Sequence, residues 1–448
     1  MYRYVIIFLF VTSLIACESD YSYRGDSNSI AFSTDTLSFD TIFSGNVSVT
    51  KQMLIYNTSG TDMTIDHIYL GSGTESDYNI SINGSASTEV TNVRLRSGDS
   101  LYVFVNVYPK YNSDKPYCLT EDNIVVQAGS NIFSSHLWAC GLTANRVSGQ
   151  ISSNTQWTSE VPYLISDTLI IAPNVTLSIA EGAYIYMNND ALIEIRGELI
   201  ANGTLSAPIN IRASRTGQFY SDIPGQWQGI VVSTPQGKAN FAFTQIANAT
   251  TALIVDSAAV ATLTDIEIRD AKKCAIDGRC ANIELKNSLL YNCGSSLLKI
   301  VDGNTIINHC TMVNYYRWNV RNEASVVADA TEQSKYTFQM TNSVVAGNLT
   351  KELNLNDNMS SEHCNINNCY IRLGSKNSDQ TDERLENVTD GKEPKFVSID
   401  EHNYHLTKES PLIDAGAAEY SKQLIVDHDG IIRTEKGNPD IGAYEYVE

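Results

Sequence analysis

A four-residue frame recurs through the second half of the chain, and this repeat limits the possible folds more than any other feature. Each copy has an apolar residue, a polar residue, then Gln, Asp, Asn or His, and finally a small or apolar residue. The copies begin at Phe243, Leu263, Leu285, Ile307, Met340 and Ile366. Their spacings are 20, 22, 22, 33 and 26 residues. The shorter spacings are typical of one coil of a parallel β-helix, and the longer ones predict loops that leave a coil.

Short strands and tight turns fill residues 174–214, as a stack of small coils requires. Runs of three to five residues each end at a polar turn containing Gly, Asn, Asp or Pro. A sandwich needs longer strands, so these runs favour a solenoid whose coils bury one apolar column. Amide side chains at the bends hydrogen-bond from coil to coil in such a stack. We therefore expect a structural role for Asp265 at a bend, and interior positions for Cys293, Cys310 and Cys369.

Residues 30–145 have longer alternating runs that are separated by polar turns. In LYVFVNV, residues 101–107, every second side chain is Leu or Val, which predicts a strand with one buried face. Several such runs with frequent turns predict an immunoglobulin-like β-sandwich. Cys118 and Cys140 flank one strand-like stretch, and either a disulfide or two free thiols is compatible with this spacing.

The N-terminal apolar run, from Val5 to Ala16, is about a dozen residues long. A membrane-spanning helix needs about 20 apolar residues, whereas the apolar part of a secretory signal peptide has about this length. The run ends in Leu14-Ile15-Ala16-Cys17, which resembles a bacterial lipobox and implies that Cys17 carries a lipid anchor. The alternative is an ordinary signal peptide with an accidental cysteine. The following Glu18-Ser19-Asp20 resembles the surface-export signal of Bacteroidetes lipoproteins, which implies an outer-membrane lipoprotein exposed at the cell surface.

Several stretches resemble right-handed parallel β-helix repeat proteins. They are residues 174–214, IPGQWQGIVV (223–232), INHCTMVNY (307–315), SPLIDAG (410–416) and PDIGAYEY (439–446). Residues 39–70 resemble the immunoglobulin-like modules that precede β-helices in Bacteroidetes lipoproteins. The resemblance implies an all-β chain in which a sandwich is followed by a right-handed, pectate-lyase-like parallel β-helix. The expected segments are a signal peptide at 1–16, a tether at 17–29, the sandwich at 30–145, the β-helix at 146–395, and a final coil with a closing motif at 396–448.

The closing motif contains the acidic residues Asp414 and Asp440 together with Arg433. The resemblance implies that one or more of its acids pair with Arg433 and hold the tail over the last coil. Asp427 and Asp429, which precede Gly430, have the i and i+2 spacing of a calcium loop. The other ligands of such a loop are missing, so a structural role is favoured and a bound Ca²⁺ is the alternative. We otherwise expect no cofactor.

Two groups of aromatic residues are candidates for contact with sugar rings. Tyr315, Tyr316 and Trp318 form one group, and Phe219, Tyr220 and Trp227 form the other. From these we select Tyr315, Tyr316, Trp318 and Trp227 as candidate glycan contacts. The alternative is that they pack the solenoid and its loops. Glu267 and Arg269 lie on one face of a short strand, and we expect them to form an exposed ion pair.

The formal charge of −20 indicates which partners suit the chain. A surface this acidic repels nucleic acid, so we expect no nucleic-acid partner. Polysaccharide-cleaving β-helices need paired carboxylates, or a basic residue beside calcium-held acids, and the sequence has no clear cluster of this kind. We therefore expect a lipid-anchored, non-catalytic module that binds a polysaccharide or a surface protein, or serves as a scaffold. The alternative is a polysaccharide lyase or glycoside hydrolase whose site is assembled from separate coils.

Overall fold

The computed structural model describes residues 30–82, 84–87, 89–111, 116–256, 258–331, 335–374, 382–433 and 437–448. The predicted signal peptide, the tether and Cys17 lie outside these residues. Within them, no helix is long and apolar enough to cross a membrane. The chain divides into two compact units between Thr143 and Ala144.

The first unit is a sandwich of two sheets. Its strands are β1 (Ile30–Phe32), β2 (Thr36–Phe43), β3 (Lys51–Asn57), β4 (Met63–Leu70), β5 (Tyr78–Ile82), β6 (Ser85–Ser87), β7 (Glu89–Leu95), β8 (Ser100–Val107), β9 (Tyr117–Ala128) and β10 (Asn131–Leu142). One five-stranded sheet has the order β1-β3-β8-β5-β6, and the other has the order β2-β10-β9-β4-β7. Inward residues such as Ile55, Val103 and Val126 are fully buried. Cys118 and Cys140 lie on the paired strands β9 and β10, and both are free thiols.

The second unit is a stack of short parallel strands. Its first strands are β11 (Asn145–Ile151), β12 (Thr155–Trp157), β13 (Tyr163–Ile171), β14 (Thr176–Ile179), β15 (Tyr184–Met187), β16 (Leu192–Ile195), β17 (Glu198–Asn202), β18 (Ile209–Ala213), β19 (Gly229–Val232), β20 (Lys238–Ala242), β21 (Thr244–Ala247), β22 (Leu253–Val255), β23 (Val260–Thr264) and β24 (Glu267–Arg269). The later strands are β25 (Ile276–Lys286), β26 (Leu289–Tyr291), β27 (Leu298–Asn308), β28 (Thr311–Asn314), β29 (Val326–Asp329), β30 (Tyr336–Thr341), β31 (Val344–Gly347), β32 (Leu353–Leu355), β33 (Cys364–Asn367), β34 (Tyr370–Ile371), β35 (Leu385–Glu386), β36 (Phe396–Ser398) and β37 (Asn403–Leu406). Short 3₁₀ turns occur at Gly73–Glu75, Gln218–Tyr220 and Ala418–Ser421.

Strands β11 to β35 form one sheet of 25 strands, wound as a parallel β-helix. Each coil contributes one strand, or part of a long strand, to each of three stacks. The first stack runs through β14, β17, β20 and β23, and the second through β15, β18, β21, β24, β26, β28, β31 and β34. The third runs through β16, β19 and β22 into the first part of β25. The predicted all-β fold, a β-sandwich followed by a parallel β-helix, is confirmed.

The repeated frame marks the corner between the first and second stacks. Its third residue has a positive φ in every coil there, a conformation that Asn and Asp tolerate better than most residues. These residues are Phe243, Asp265, Asn287, His309, Asn342 and Asn368. Phe243 is therefore the third residue of its copy, and Phe241 is the residue that pairs with Leu263. The first copy therefore begins at Phe241, two residues before the predicted start. It lies 22 residues before the next copy, the same spacing as the two that follow.

Side chains at this corner bond from coil to coil, as the sequence predicts. Asn287 donates its amide to Asp265, and the Asn342 amide lies 2.9 Å from His309 Nε2. Inside the coils, the buried side chains form one continuous apolar cluster. Cys293, Cys310 and Cys369 belong to that cluster with no exposed surface, which confirms their predicted interior positions. Burial raises the pKa of the Cys310 thiol to about 12.

The C-terminal strap, which we define as the described part of residues 396–446, lies along the side of the β-helix. Its hairpin β36–β37 and the residues that follow pack on the outer face of the second stack. Ala443 N donates to Thr311 Oγ1 at 2.9 Å, and Asn308 Nδ2 donates to the carbonyl of Tyr420 at 2.7 Å. These contacts are with the coil of β27 and β28, and the apolar contacts of the strap extend from β26 to β34. The strap therefore lies along the sides of the last coils, whereas the sequence predicts that it is held over the last coil.

Candidate functional site

The outer face of the second stack has two parts that differ in what covers them. On β26, β28, β31 and β34, the outward side chains are buried under the strap. These covered rows present Leu289, Tyr291, Thr311, Val313, Val344, Ala346 and Tyr370. On β15, β18, β21 and β24, most outward side chains keep contact with solvent. These open rows present Tyr184, Asn210, Arg212, Gln245, Glu267 and Arg269.

The sequence of each strand accounts for this division. Strands β28 and β31 read TMVN and VVAG, and all of their residues are buried. A strand that is apolar at successive positions must be covered on both faces. Strand β18 reads INIRA and alternates between buried and partly exposed residues, as a strand with one solvated face does. The open rows therefore form a polar strip that the described residues of the second unit leave partly exposed.

A cluster of charged residues lies where the open rows meet the covered rows. Arg269 Nε lies 3.4 Å from Glu267 Oε1, and its guanidinium also pairs with Asp270. Tyr291 donates its hydroxyl to Glu267 Oε1 at 2.6 Å. Asp222, on the loop after β18, lies 3.7 Å from Arg269. The sequence predicts an exposed pair of Glu267 and Arg269, but their side chains are only 19% and 21% exposed because the neighbouring row and loop surround them.

The electrostatics of this cluster are set by burial. Asp270 is 1% exposed, and its burial raises the pKa of its carboxyl to about 6, although the Arg269 guanidinium opposes this. Burial also raises the pKa of the Tyr291 hydroxyl, and the Glu267 charge adds to this effect. Burial lowers the pKa of His402, which lies 3.2 Å from the Asn292 amide. The cluster thus holds one acid that titrates near neutral pH beneath a permanent cation.

Two loops leave the coil at the same corner, between the second and third stacks. Residues 214–228 connect β18 to β19, and residues 315–325 connect β28 to β29. Asn248 Nδ2 holds the first loop by donating to Ser221 O at 2.7 Å. Arg321 holds the second, since its Nη1 donates to Glu352 Oε2 at 2.9 Å and neither side chain is exposed. Both loops are therefore fixed at their bases.

Each loop presents one exposed aromatic ring. Phe219 is 78% exposed and Trp318 is 56% exposed. Of the four predicted glycan contacts, Trp318 alone lies at the surface. Trp227 is fully buried and donates its Nε1 to Ala247 O at 2.8 Å, Tyr316 is 6% exposed, and Tyr315 packs against the strap cluster. From the sequence we select Trp227 and not Phe219, although the apolar run that begins soon after Trp227, at Ile230, is a signal of burial.

The closing motif is brought together at the corner between the first and second stacks. Arg433 is 1% exposed, and its Nη1 donates to Glu445 Oε1 at 2.8 Å while its other nitrogen donates to Asn287. Asp440 accepts hydrogen bonds from the backbone N of Asp414 at 2.7 Å and of Tyr446 at 2.6 Å. These contacts join the strap to itself and to a coil.

The two candidate calcium ligands have protein partners. Asp427 accepts from the backbone N of Ile431 at 2.7 Å and of Glu445 at 2.7 Å. Asp429 lies 2.7 Å from His405 Nε2, and this contact lowers the pKa of its carboxyl. Within the described ranges, no group of three or more His, Cys, Asp or Glu is arranged to hold a metal ion.

Comparisons with known proteins give no family for this chain. No protein-family profile matches it, and no curated protein matches it. Three solved structures that it partly resembles are a PapD-like domain of human CEP192 (11% identity over 29% of this chain and 99% of that chain, TM-score 0.19), the Vibrio cholerae VesB protease (13%, 26% and 32%, TM-score 0.19) and a family 123 glycoside hydrolase from Clostridium perfringens (9%, 29% and 30%, TM-score 0.20). This chain thus spans about a third of the length of the two enzymes. Likenesses this low carry no argument about function.

Proposed function

We propose that the protein is a surface lipoprotein of a Bacteroidetes-like bacterium, anchored to the outer membrane through Cys17, whose β-helix binds a glycan without cleaving it. The observation that carries the proposal is the open polar strip, together with two fixed loops that leave the same corner of the coils and carry exposed aromatic rings. The first loop lies beside Arg269 of the strip, and the second leaves from the covered row β28. The outward side chains of these rows keep contact with solvent, so a ligand can reach them. The right-handed winding expected from the resemblance belongs to the same proposal.

Glycan binding fits the side chains of the strip. Exposed rings such as Phe219 and Trp318 stack on the apolar faces of sugars, and a solvated Tyr184 adds a ring with a hydroxyl. The amides of Asn210 and Gln245 face outward on neighbouring strands and offer donors and acceptors for sugar hydroxyls. Aromatic stacking with a few directed polar groups is the usual composition of a ligand-binding surface.

The acids beside the strip have protein partners, which supports binding over cleavage. A glycosidase holds two carboxyl groups on either side of the scissile bond with space between them. Here Glu267 accepts from Tyr291, and Asp270 pairs with Arg269 beneath the surface. Both carboxylates therefore face the same guanidinium and do not face each other across an open gap.

One observation favours the second candidate function, a polysaccharide lyase or hydrolase. The pKa of Asp270 is raised by burial to about 6, and a group that titrates near neutral pH suits general acid–base work. Arg269 and Tyr291 lie beside it. An enzyme of this kind has to move Arg269 or the loop at Asp222 to bring substrate to the carboxyl.

The test is to incubate the mature chain with neutral and acidic polysaccharides, with and without calcium, and to follow retention by affinity electrophoresis and products by chromatography. We expect retention without new reducing ends or unsaturated products. The double variant Phe219→Ala/Trp318→Ala should lose at least tenfold in affinity, whereas Val320→Ala, an equally exposed change in the second loop, should not. Cleavage products that vanish in Asp270→Asn would replace this proposal with the enzyme.

The anchor has a separate test. Cells expressing the full chain are labelled with radioactive palmitate, and intact cells are then treated with protease. We expect label on the parent protein, loss of label in Cys17→Ala, and degradation of the parent on intact cells. An unlabelled parent would contradict the lipid anchor, and protection from protease would contradict the surface location.

A further inference from the structure

The outer face of the sheet β1-β3-β8-β5-β6 in the sandwich carries two exposed aromatic rings that have no role in the core. Tyr102 and Phe104 on β8 are 50% and 40% exposed. Their rings are nearly parallel, with centroids 6.3 Å apart and an interplanar angle of 14°. Between them Val103 points inward and is fully buried, so the strand does not need these rings to pack the sandwich. They form an apolar pair of rings in contact with water.

Neutral side chains flank the two rings, with Leu54 on β3 paired with Tyr102 and polar residues around Phe104. Gln52 on β3 and Ser81 on β5 pair with Phe104, one on each side. Asn79 donates its amide to Asn106 Oδ1 at 3.2 Å on the same face. We call these four polar residues, with Tyr102 and Phe104, the aromatic platform. Its amides and hydroxyls lie around the rings in the plane of the sheet.

The platform is uncharged in a strongly acidic protein. Its outward positions on β3, β5 and β8 carry only neutral side chains, whereas the outer face of the other sheet carries Asp66, Glu121 and His136. The whole chain has 51 acidic against 31 basic residues. A partner with negative charge is repelled by such a chain, and a partner with positive charge finds no counter-charge on the platform. Charge therefore selects a neutral partner.

We propose that the aromatic platform is a second glycan site, one that binds a neutral, unsubstituted polysaccharide. Sugar rings present flat C–H faces to Tyr102 and Phe104, and their hydroxyls meet the amides of Gln52, Asn79 and Asn106. The site lies in the other unit from the polar strip and does not depend on it. It rests on the proposed function only in taking a glycan as the partner.

The aromatic platform and the polar strip suit different classes of ligand. The polar strip contains Arg212, Glu267 and Arg269 and so accepts a ligand with charged substituents, whereas the platform offers no charge at all. A neutral chain held on the sandwich and a second chain held on the β-helix would give the surface protein two independent points of attachment.

The experiment measures retention of the full mature chain on affinity gels containing an unsubstituted β-glucan, xylan, mannan or polygalacturonate. We expect Tyr102→Ala/Phe104→Ala to lose at least tenfold in affinity for one of the neutral polymers and nothing for polygalacturonate. Tyr102→Phe should keep the neutral affinity because the ring remains. Leu119→Ala, a change at a 55% exposed residue on the other sheet, should bind like the parent. Far-ultraviolet circular dichroism and the thermal midpoint check that each variant is folded.

The outcomes separate this inference from the proposed function. If the platform variant keeps neutral affinity while Phe219→Ala/Trp318→Ala loses retention, the platform is wrong and the β-helix site stands. If only the platform variant loses affinity, the platform stands and the β-helix site is wrong. Absence of retention on every gel rejects both. If the parent sediments as a dimer and the platform variant as a monomer, the platform is an interface between two copies and the glycan assignment is overturned.

Discussion

The open and covered rows of the second stack share one backbone arrangement and one kind of inner residue, but they differ in their outer residues. The inward residues Ile246, Ile268, Leu290, Met312 and Val345 have no exposed surface in either part. Outward, the open rows have Gln245, Glu267 and Arg269, and the covered rows have apolar residues such as Val313 and Val344. The inner residue therefore builds the coil, and the outer residue decides what lies on it.

The strap covers apolar rows because burial there removes apolar surface from water on both partners. Apolar burial contributes about 25 cal/mol per Å². The strap contributes Tyr404, Leu412, Ile441 and Tyr444 to the shared cluster, all of them buried. The cluster ends at Leu289 and Tyr291, the first row beyond Glu267 and Arg269. The comparison teaches that the limit of the strap marks the start of the open polar strip.

The largest effect on this comparison should come from Val344→Asp. Val344 is fully buried under the strap, and a Cβ at Gly442, whose φ is +114°, would lie 3.1 Å from Val344 Cγ2. An unpaired carboxylate buried at this position costs about 3–5 kcal/mol. We expect chemical denaturation to show this loss and limited proteolysis to cut first within residues 396–446.

The matched control is Gln245→Asp, which places the same carboxylate at an exposed outward position of an open row. Its free energy of unfolding should stay within about 0.5 kcal/mol of the parent value. Equal losses for the two variants would mean that the strap does not depend on the apolar outer face, and the distinction between the two parts would fall.

The coils could be predicted from the sequence because stacking forces apolar residues into register at a fixed spacing. Leu263, Leu285 and Ile307 pair with one another in consecutive coils as the repeat predicts. The copy at Phe243 was misplaced because an apolar residue occupies a corner position that elsewhere holds Asn, Asp or His. The spacing of the coils can be predicted from the inward apolar residues, but the exact position of each copy depends on identifying its corner residue.

The candidate site was harder to predict because exposure depends on contacts between distant parts of the chain. Tyr291 is buried partly by His402 and Tyr404, more than a hundred residues later. Trp227 and Phe219 lie in one loop, and only the folded path of that loop decides which ring is buried. The consecutive apolar residues of β28 and β31 did indicate a covered face, but nothing local identified the segment that covers it.

An intermediate effect is expected from Arg269→Gln at the boundary between the two parts. Asp270 has a folded-state pKa of about 6, above the value of about 3.9 for an unfolded aspartate, so its ionisation costs stability as the pH rises through this range. Loss of the guanidinium leaves the buried carboxylate unpaired. We expect a destabilisation of about 1–3 kcal/mol at pH 8, and a smaller one at pH 5, where Asp270 is protonated in the folded protein.

Denaturation at the two pH values measures this difference. Arg212→Gln is the matched control, because Arg212 also faces outward from an open row and has no ion pair among the residues that the structure describes. Its effect should be small and equal at both pH values. A destabilisation by Arg269→Gln that is independent of pH would show that Asp270 does not depend on Arg269.

The smallest effect, and the finest test of how the strap is held, should come from Glu445→Gln. Burial and the nearby Asp440 charge raise the pKa of Glu445 to about 7, although Arg433 opposes them. The folded protein therefore binds a proton that the unfolded chain has lost between about pH 4.3 and 7. This bound proton increases the free energy of unfolding at low pH, and its contribution is lost as the pH rises to about 7.

Glutamine cannot ionise, so the free energy of unfolding of the variant does not fall in this way as the pH rises. Its free energy of unfolding should rise relative to that of the parent by about 1 kcal/mol between pH 6.5 and pH 8. Other buried groups with shifted pKa values, Asp265 and His309 among them, are present in both proteins and cancel in the difference. Calorimetry at pH 5, 6.5 and 8 measures it. Parallel curves for the two proteins would show that Glu445 stays ionised beside Arg433 throughout, and that an ordinary ion pair holds the strap to the covered rows.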